Sequence, residues 1–304
     1  MKLCGFADEA GKGIDAQIKA TQELGWEYIE SRNIDGVNLT DITEEQFEQV
    51  YRKLHESGVK VACFGSAVAN WGKSILEPMD SSVEETKRAI PRMKRLGCTY
   101  LRIMSFAQLI DRGPDDQEEA ERFRRMNILT RMYLDEGLTP VHENCMNYGG
   151  LGWQYTLKLL ENVPGLKLAF DTANPVSTID HFADEPQPQS SLTFFEHVKD
   201  HVEHIHIKDC KATDQKDSKF WNVEFTWPGE GDGQVVEILK SAKAMAYDGF
   251  VSIEPHLKVV FHDESVTSEE SAMFENYVEY GRRIEKILDD LEWPMTSHII
   301  TQSL

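Results

Sequence analysis

Apolar positions along the chain alternate between two rhythms. Six short, mostly apolar runs each start directly after a glycine. They are Trp26–Glu30, Val59–Phe64, Cys98–Met104, Leu138–Glu143, Leu166–Asp171 and Phe250–Glu254, preceded by Gly25, Gly58, Gly97, Gly137, Gly165 and Gly249. A glycine that closes a helix takes the left-handed cap conformation without a Cβ penalty, so each run reads as a strand entered from a helix. Leu3–Phe6 and Val202–Ile207 bring the strand candidates to eight.

The segments between the runs carry helical spacing. Thr43-Glu44-Glu45-Gln46 is a capping box, and Phe47, Val50, Tyr51 and Leu54 follow on one face. Ser82-Val83-Glu84-Glu85 predicts a second helix opening at Ser82 and running to Leu96, with Pro91 kinking or breaking it. Phe274, Tyr277, Val278, Gly281, Ile284 and Ile287 line one side of a long final helix that Trp293-Pro294 stops. Asp184–Ser191 reads as a loop ahead of the seventh strand.

Strand and helix thus alternate about eight times, which implies a parallel sheet closed into an α/β (β/α)8 TIM barrel. The chain is expected to form a single domain over residues 1–304, with a C-terminal helix and a short tail. An open doubly wound sheet is the alternative. Its usual glycine-rich phosphate turn is missing, because Phe6-Ala7-Asp8-Glu9-Ala10-Gly11 is not GxGxxG.

Composition narrows the partners. With 40% hydrophobic and 28% charged residues the 304-residue chain is of soluble globular type. No apolar run approaches the ~20 residues of a membrane span, and Met1-Lys2-Leu3-Cys4-Gly5 turns polar too soon for a signal peptide, so a cytoplasmic location is expected. The net charge of −20 repels phosphate backbones and anionic membranes, so neither nucleic acid nor membrane is an expected partner. The five cysteines form no CxxC pair, which disfavours both a structural zinc knuckle and a disulfide framework. Cys4, Cys63 and Cys98 read as small core residues.

Barrels of this kind carry their sites at the carboxyl ends of the strands. Those ends supply Glu30 and Arg32, Arg102, Glu143 and Asn144, Asp171 and Asn174, His204, His206, Lys208 and Asp209, and Glu254 and His256. Four adjacent strands, the fifth to the eighth, each end in a residue able to bind a metal: Glu143, Asp171, His206 and Glu254. Three carboxylates and an imidazole suit Mn²⁺, Mg²⁺ or Co²⁺, with Zn²⁺ allowed. The competing reading makes each carboxylate a helix cap or a solvated acid.

Period-two alternation places His204, His206 and Lys208 on one face of their strand. His204 then lies deeper, as a core histidine or a substrate contact. Lys208 lies at the rim, where it binds a substrate oxygen or pairs with Asp209 or another acid. His142 faces the helical layer. Trp71, Trp221 and Trp227 either pack loops together or cover the mouth.

Five pieces in order (Val141–Asn144, Phe170–Asn174, His204–Asp209, Gly229–Gly233 and Ile253–Pro255) resemble the xylose isomerase-like barrels. That superfamily includes D-tagatose 3-epimerase, hydroxypyruvate isomerase, inosose dehydratase and endonuclease IV. The resemblance spans roughly residues 1–290. It implies one divalent ion, Mn²⁺ foremost, held by Glu143, Asp171, His206 and Glu254, with Glu143 and Glu254 as the acid/base pair. It further implies a sugar isomerase or epimerase that moves a proton through a metal-stabilised enediolate of a keto-sugar or sugar derivative. Lys208, Asn174, His204, Arg102 and Glu30 are then expected around the substrate, and a homodimer is compatible with such barrels.

The chain departs from the epimerase pattern at three positions. Asn174 replaces a histidine, Gly149 a glutamate and Lys208 a glycine. Lys208-Asp209 is closer to the dehydratase members, so a lyase acting on a keto-polyol is the alternative, with a non-catalytic sugar-binding barrel behind it. The net charge speaks against an endonuclease.

Overall fold

The computed structural model describes residues 1–215, 220–257 and 270–295. Eight parallel strands form one sheet: β1 (Lys2–Gly5), β2 (Tyr28–Ser31), β3 (Lys60–Gly65), β4 (Tyr100–Ile103), β5 (Thr139–Glu143), β6 (Lys167–Asp171), β7 (Val202–Ile207) and β8 (Phe250–Ile253). The spatial order runs β1-β8-β7-β6-β5-β4-β3-β2. A lone parallel bridge between Phe6 and Glu30 brings β1 against β2, so the sheet curls into a nearly closed barrel. Eight helices surround it: α1 (Ile14–Glu23), α2 (Glu44–Ser57), α3 (Asp80–Leu96), α4 (Glu119–Leu134), α5 (Trp153–Asn162), α6 (Ser191–Val198), α7 (Val235–Ala244) and α8 (Glu270–Asp290). This is the single-chain (β/α)8 barrel that the alternation predicts. Among the described residues no helix is long and apolar enough to cross a membrane.

The residues form these elements for local reasons. Thr43 caps α2 in a reciprocal box with Gln46, and Gly58 ends it at φ 74°. Gly249 differs from the expectation. The left-handed residue after α7 is Ala246, at φ 58°, and Gly249 serves close packing instead: a Cβ there would come 2.6 Å from the Glu203 carbonyl oxygen. Helix α3 corrects two further expectations. It begins at Asp80, and the Ser82 hydroxyl turns inward to accept the Ala69 N–H at 3.2 Å, so Ser82 does not cap the helix. Pro91 lies inside α3 without ending it. Its ring and Lys87, whose carbonyl loses a partner, are both on the exposed face, where water can satisfy that carbonyl.

Most of the apolar core lies between strands and helices, in two clusters that between them draw on all eight helices. The barrel interior is filled at its amino end by Cys4, Ala62 and Phe250, with Tyr28 and Tyr100 against them. Above that plug the interior turns polar. Register shifts skip Ala62 on β3 and Glu203 on β7, directly before Cys63 and His204. Such bulges add twist and re-aim side chains beside sites.

The Gly249 packing is testable by urea unfolding. Gly249→Ala should lose roughly 1–3 kcal/mol through overpacking. Gly58→Ala, with open space around its Cβ, should lose roughly 1–2 kcal/mol, the penalty of its φ alone.

Candidate functional site

The polar interior is layered. In the lower layer Glu30 Oε2 accepts bonds from His204 Nε2 (2.8 Å) and Ser252 Oγ (2.8 Å), and lies 3.1 Å from His206 Nε2. All four residues are fully buried. Burial alone would raise the Glu30 carboxyl pKa, but His206 and His204 outweigh it and hold the group well below its usual range. Glu30 and His204, expected as substrate contacts, pair with each other below the upper layer, and the Glu30 carboxylate lies against the His206 ring.

The upper layer holds the four predicted ligands. One donor atom each from Glu143, Asp171, His206 and Glu254 falls within 4.8 Å of the others, and all four residues are buried. His206 presents Nδ1 to Glu143 Oε1 at 3.2 Å while its Nε2 faces Glu30. A carboxylate behind an imidazole fixes the ring and its tautomer, which is the usual support of a metal-binding histidine.

Each carboxylate in this layer has one oxygen committed to a fixed donor. Glu143 Oε2 takes Arg102 Nη1 at 3.2 Å. Glu254 Oε1 takes Arg32 Nη1 at 2.6 Å. Asp171 Oδ1 accepts the N–H groups of Ala173 (2.8 Å) and Asn174 (2.7 Å). The second oxygens face one another. Glu143 Oε1 has His206 and, at 3.5 Å, Asn174 Nδ2. Lys208 Nζ lies 3.0 Å from both Asp171 Oδ2 and Glu254 Oε2. Asp171 Oδ2 is buried and makes an ion pair there but no hydrogen bond. A hard, oxygen-rich donor set with a buried oxygen short of a hydrogen bond fits a divalent cation.

The electrostatics follow. Burial would raise the carboxyl of Glu143, but Arg102 and His206 bring it down to about 2. Glu254 is likewise pushed up by burial and held well below its usual range by Lys208, His256 and Arg32. Asp171 is raised to about 6, because burial, with Glu254 and Glu143 nearby, outweighs Lys208. His206 is opposed by burial yet raised to about 10 by Glu30 and Glu143.

A cavity of about 840 Å³ opens above this layer and is lined in part by Arg32, Arg102, Glu143, Asn174, Lys208 and Glu254. Lys208 pairs with Asp171 and Glu254, not with Asp209. The Asp209 carboxylate is consumed below the Gly229–Gly233 loop, whose N–H groups at 229, 231 and 233 it accepts at 2.8, 3.0 and 2.9 Å. Asn144 does not face the ligands; it exchanges two hydrogen bonds with the Asp171 backbone and so ties β5 to β6. His142 faces outward, as predicted, with Nε2 2.9 Å from Ser105 Oγ. A side chain at Gly149 would overlap the His142 ring, which excludes a glutamate there in this packing. Trp71 and Trp221 line the cavity, whereas Trp227 packs under Arg283 at 4.1 Å.

Three contributors were missed. Asp8 and Glu9 grip Arg32, at 2.9 and 3.3 Å, and Glu9 also holds His256, whose Nδ1 lies 2.8 Å away. The third is the hairpin Cys210–Gln215/Trp221–Phe225, which forms one wall of the cavity. The strand-end rule would have found the two acids had it been applied to β1, which ends at Gly5 just before them.

The family sequence model described as "Xylose isomerase-like TIM barrel" matches residues 18–277. The chain belongs to that family. No curated protein matches it. Among solved structures, this family member is similar to the probable 3-DHS dehydratase AsbF of Bacillus anthracis (TM-score 0.69, 15% identity, 94% of this chain and 99% of that one). It is also similar to 3-keto-D-glucoside 4-epimerase of E. coli (0.62, 15%, 93% and 99%). A third neighbour is a xylose isomerase-like TIM barrel protein of Mycobacterium smegmatis solved with magnesium (0.64, 13%, 95% and 97%). At these identities the likeness is one of fold.

A divalent ion at these four residues must displace the proton that His206 carries near neutral pH. Apparent Mn²⁺ affinity should therefore rise close to tenfold per pH unit between about pH 7 and 8, and calorimetry in two buffers should register the released proton. An affinity flat over that range would mean that the ion displaces no proton from His206.

Proposed function

We propose that this barrel is a divalent-metal-dependent isomerase or epimerase acting on a keto-sugar or sugar derivative. The observation that carries the reading is the convergence of Glu143, Asp171, His206 and Glu254 on one buried point in the floor of a large cavity, with two of the four being glutamates that line it. Mn²⁺ suits the donor set best, with Mg²⁺, Co²⁺ or Zn²⁺ as substitutes. The bound ion would supply Lewis-acid stabilisation of negative charge on the substrate's carbonyl side.

The chain's own groups do the rest. Glu143 and Glu254 are ionised at neutral pH because Arg102, and Lys208 with Arg32, outweigh their burial. Either can take a proton from a carbon held above it, provided that carbon lies within hydrogen-bond reach. The protonated glutamate opens to the cavity and exchanges with solvent before a proton is returned. Arg102, Asn174 and Lys208 line the same cavity and offer only N–H donors or an amide to substrate oxygens. The epimerase among the structural neighbours is consistent with this reading.

A lyase is the second reading. Lys208 Nζ stands 3.0 Å from Glu254 Oε2, a pairing that would let a proton pass to a departing hydroxyl. A dehydratase is among the neighbours.

Incubating the protein with a panel of keto-sugars in D₂O tests the proposal. Deuterium should enter a carbon-bound position. Glu254→Gln and Glu143→Gln, assayed at saturating metal, should slow exchange at least ~100-fold. A product lighter by one water would select the lyase reading. No exchange and no mass change across the panel would sink both.

Metal analysis gives an independent check. About one ion per chain is expected in the wild type, with loss in His206→Ala and in Glu254→Gln. Absence of metal from all three after Mn²⁺ addition would leave the four residues as caps and ion pairs.

A further inference from the structure

We propose that Lys208 is an internal cation that shares its carboxylate oxygens with the divalent ion. Loading is then an exchange in which the lysine gives up Asp171 and Glu254 and turns its ammonium into the cavity. This rests on the metal reading above and adds a role for one residue to it.

The argument is one of atoms. Of the two oxygens on each carboxylate, the outer ones are committed: Asp171 Oδ1 to two backbone N–H groups, Glu254 Oε1 to Arg32 and Glu143 Oε2 to Arg102. The inner oxygens, which hold no such arginine or backbone donor, are the ones a cation at the cluster draws on first. Two of those three, Asp171 Oδ2 and Glu254 Oε2, are the atoms that Lys208 Nζ approaches at 3.0 Å. The two arginines can keep their partners whatever sits at the centre, but the lysine cannot. Its hold on Asp171 Oδ2 is a charge contact without a hydrogen bond, so that oxygen is still short of a donor.

The lysine is built to move while its backbone stays. Lys208 N donates to Thr172 Oγ1 at 3.1 Å, and the Thr172 hydroxyl donates to the Lys208 carbonyl at 2.5 Å. The next residue, Asp209, is clamped by the glycine loop. What remains mobile is a four-carbon stem carrying a compact charge, unlike the planar fork of an arginine. Lys208 already lines the cavity, so the displaced ammonium has a place to go.

Removing the lysine should therefore strengthen metal binding, the opposite of what loss of a ligand does. Charges of +1 and +2 a few ångströms apart repel enough, even at a water-like dielectric, to cost about tenfold or more in affinity. The experiment is calorimetric titration of Mn²⁺ into chelator-stripped wild type, Lys208→Met and Lys208→Gln, with circular dichroism to check folding. Both variants should bind Mn²⁺ at least ~10-fold more tightly than wild type. Binding by the variants but not by wild type would overturn the exchange, because the lysine would then exclude the ion and not give way to it.

Equal or weaker binding in the folded variants, with wild type binding Mn²⁺, overturns this proposal and leaves the metal reading intact. No binding in any of the three overturns both. A second measurement needs no variant: amine acylation of wild type, followed by mass spectrometry, should modify Lys208 several-fold faster with Mn²⁺ than without. An unchanged rate there would overturn the exchange.

Discussion

Besides Asp209, which the glycine loop satisfies, Asp8, Glu9, Glu30, Glu143, Asp171 and Glu254 lie buried at one end of this barrel, and the site is organised around keeping them tolerable to one another. Anions buried this close to one another are costly unless each is paired and hydrogen-bonded. Arg32 binds three of them and Arg102 a fourth; Lys208 bridges two, and His204 and His206 share Glu30. Asp171 is the least compensated, which is why its carboxyl alone among the three candidate ligand carboxylates is raised, to about 6. The cluster is a place where positive charge is needed. The amino-end plug of Phe250, Tyr28 and Tyr100 closes the other end of the barrel, so this need is met only from the cavity side.

That constraint ties the fold to the chemistry. The strands deliver three acids and a histidine from four adjacent positions because a parallel barrel aligns all its carboxyl ends on one face. The loops then divide two tasks. Ala173 and Asn174 fix one oxygen of Asp171 through backbone N–H groups, and the Gly229–Gly233 loop closes over Asp209. The N–H groups of this loop at 229, 231 and 233 are turned inward and filled by the chain's own carboxylate, leaving them no role with a substrate anion. The result is a rigid floor beneath a cavity in which the two arginines are held by acids and only a flexible lysine stands between two of the candidate ligands.

The departures from the epimerase pattern have physical counterparts. Gly149 has no room for a side chain because the His142 ring occupies it, so the absence of a glutamate belongs to the packing of β5 against the next turn. Asn174 offers Glu143 an amide at 3.5 Å where a histidine would offer a titrating ring. Lys208 adds a charge where a glycine adds none. Two of the three changes, Asn174 and Lys208, alter which groups can hold or pass a proton near the same pair of glutamates. The proposed isomerase reading and its lyase alternative therefore draw on the same floor.

Much of this was legible in the chain alone. Helix caps at Gly58, Gly97, Gly137 and Gly165 punctuate the sequence because a left-handed backbone is a local demand, and the alternation they mark is enough to predict the barrel. The four convergent residues were legible because strand ends are local and a parallel barrel gathers them without further information. Period-two spacing likewise separated His206 from the isoleucines beside it. What needed the tertiary structure was every question of partner and depth. Sequence spacing does not say that Asp8 and Glu9 reach Arg32 and His256, that Asp209 turns to a glycine loop twenty or more residues away, or that Ser82 faces Ala69 and does not cap its own helix. Nor does it reveal that Glu30 and His204 pair with each other. Those outcomes are fixed by contacts between segments distant in sequence, where burial decides which charges must meet.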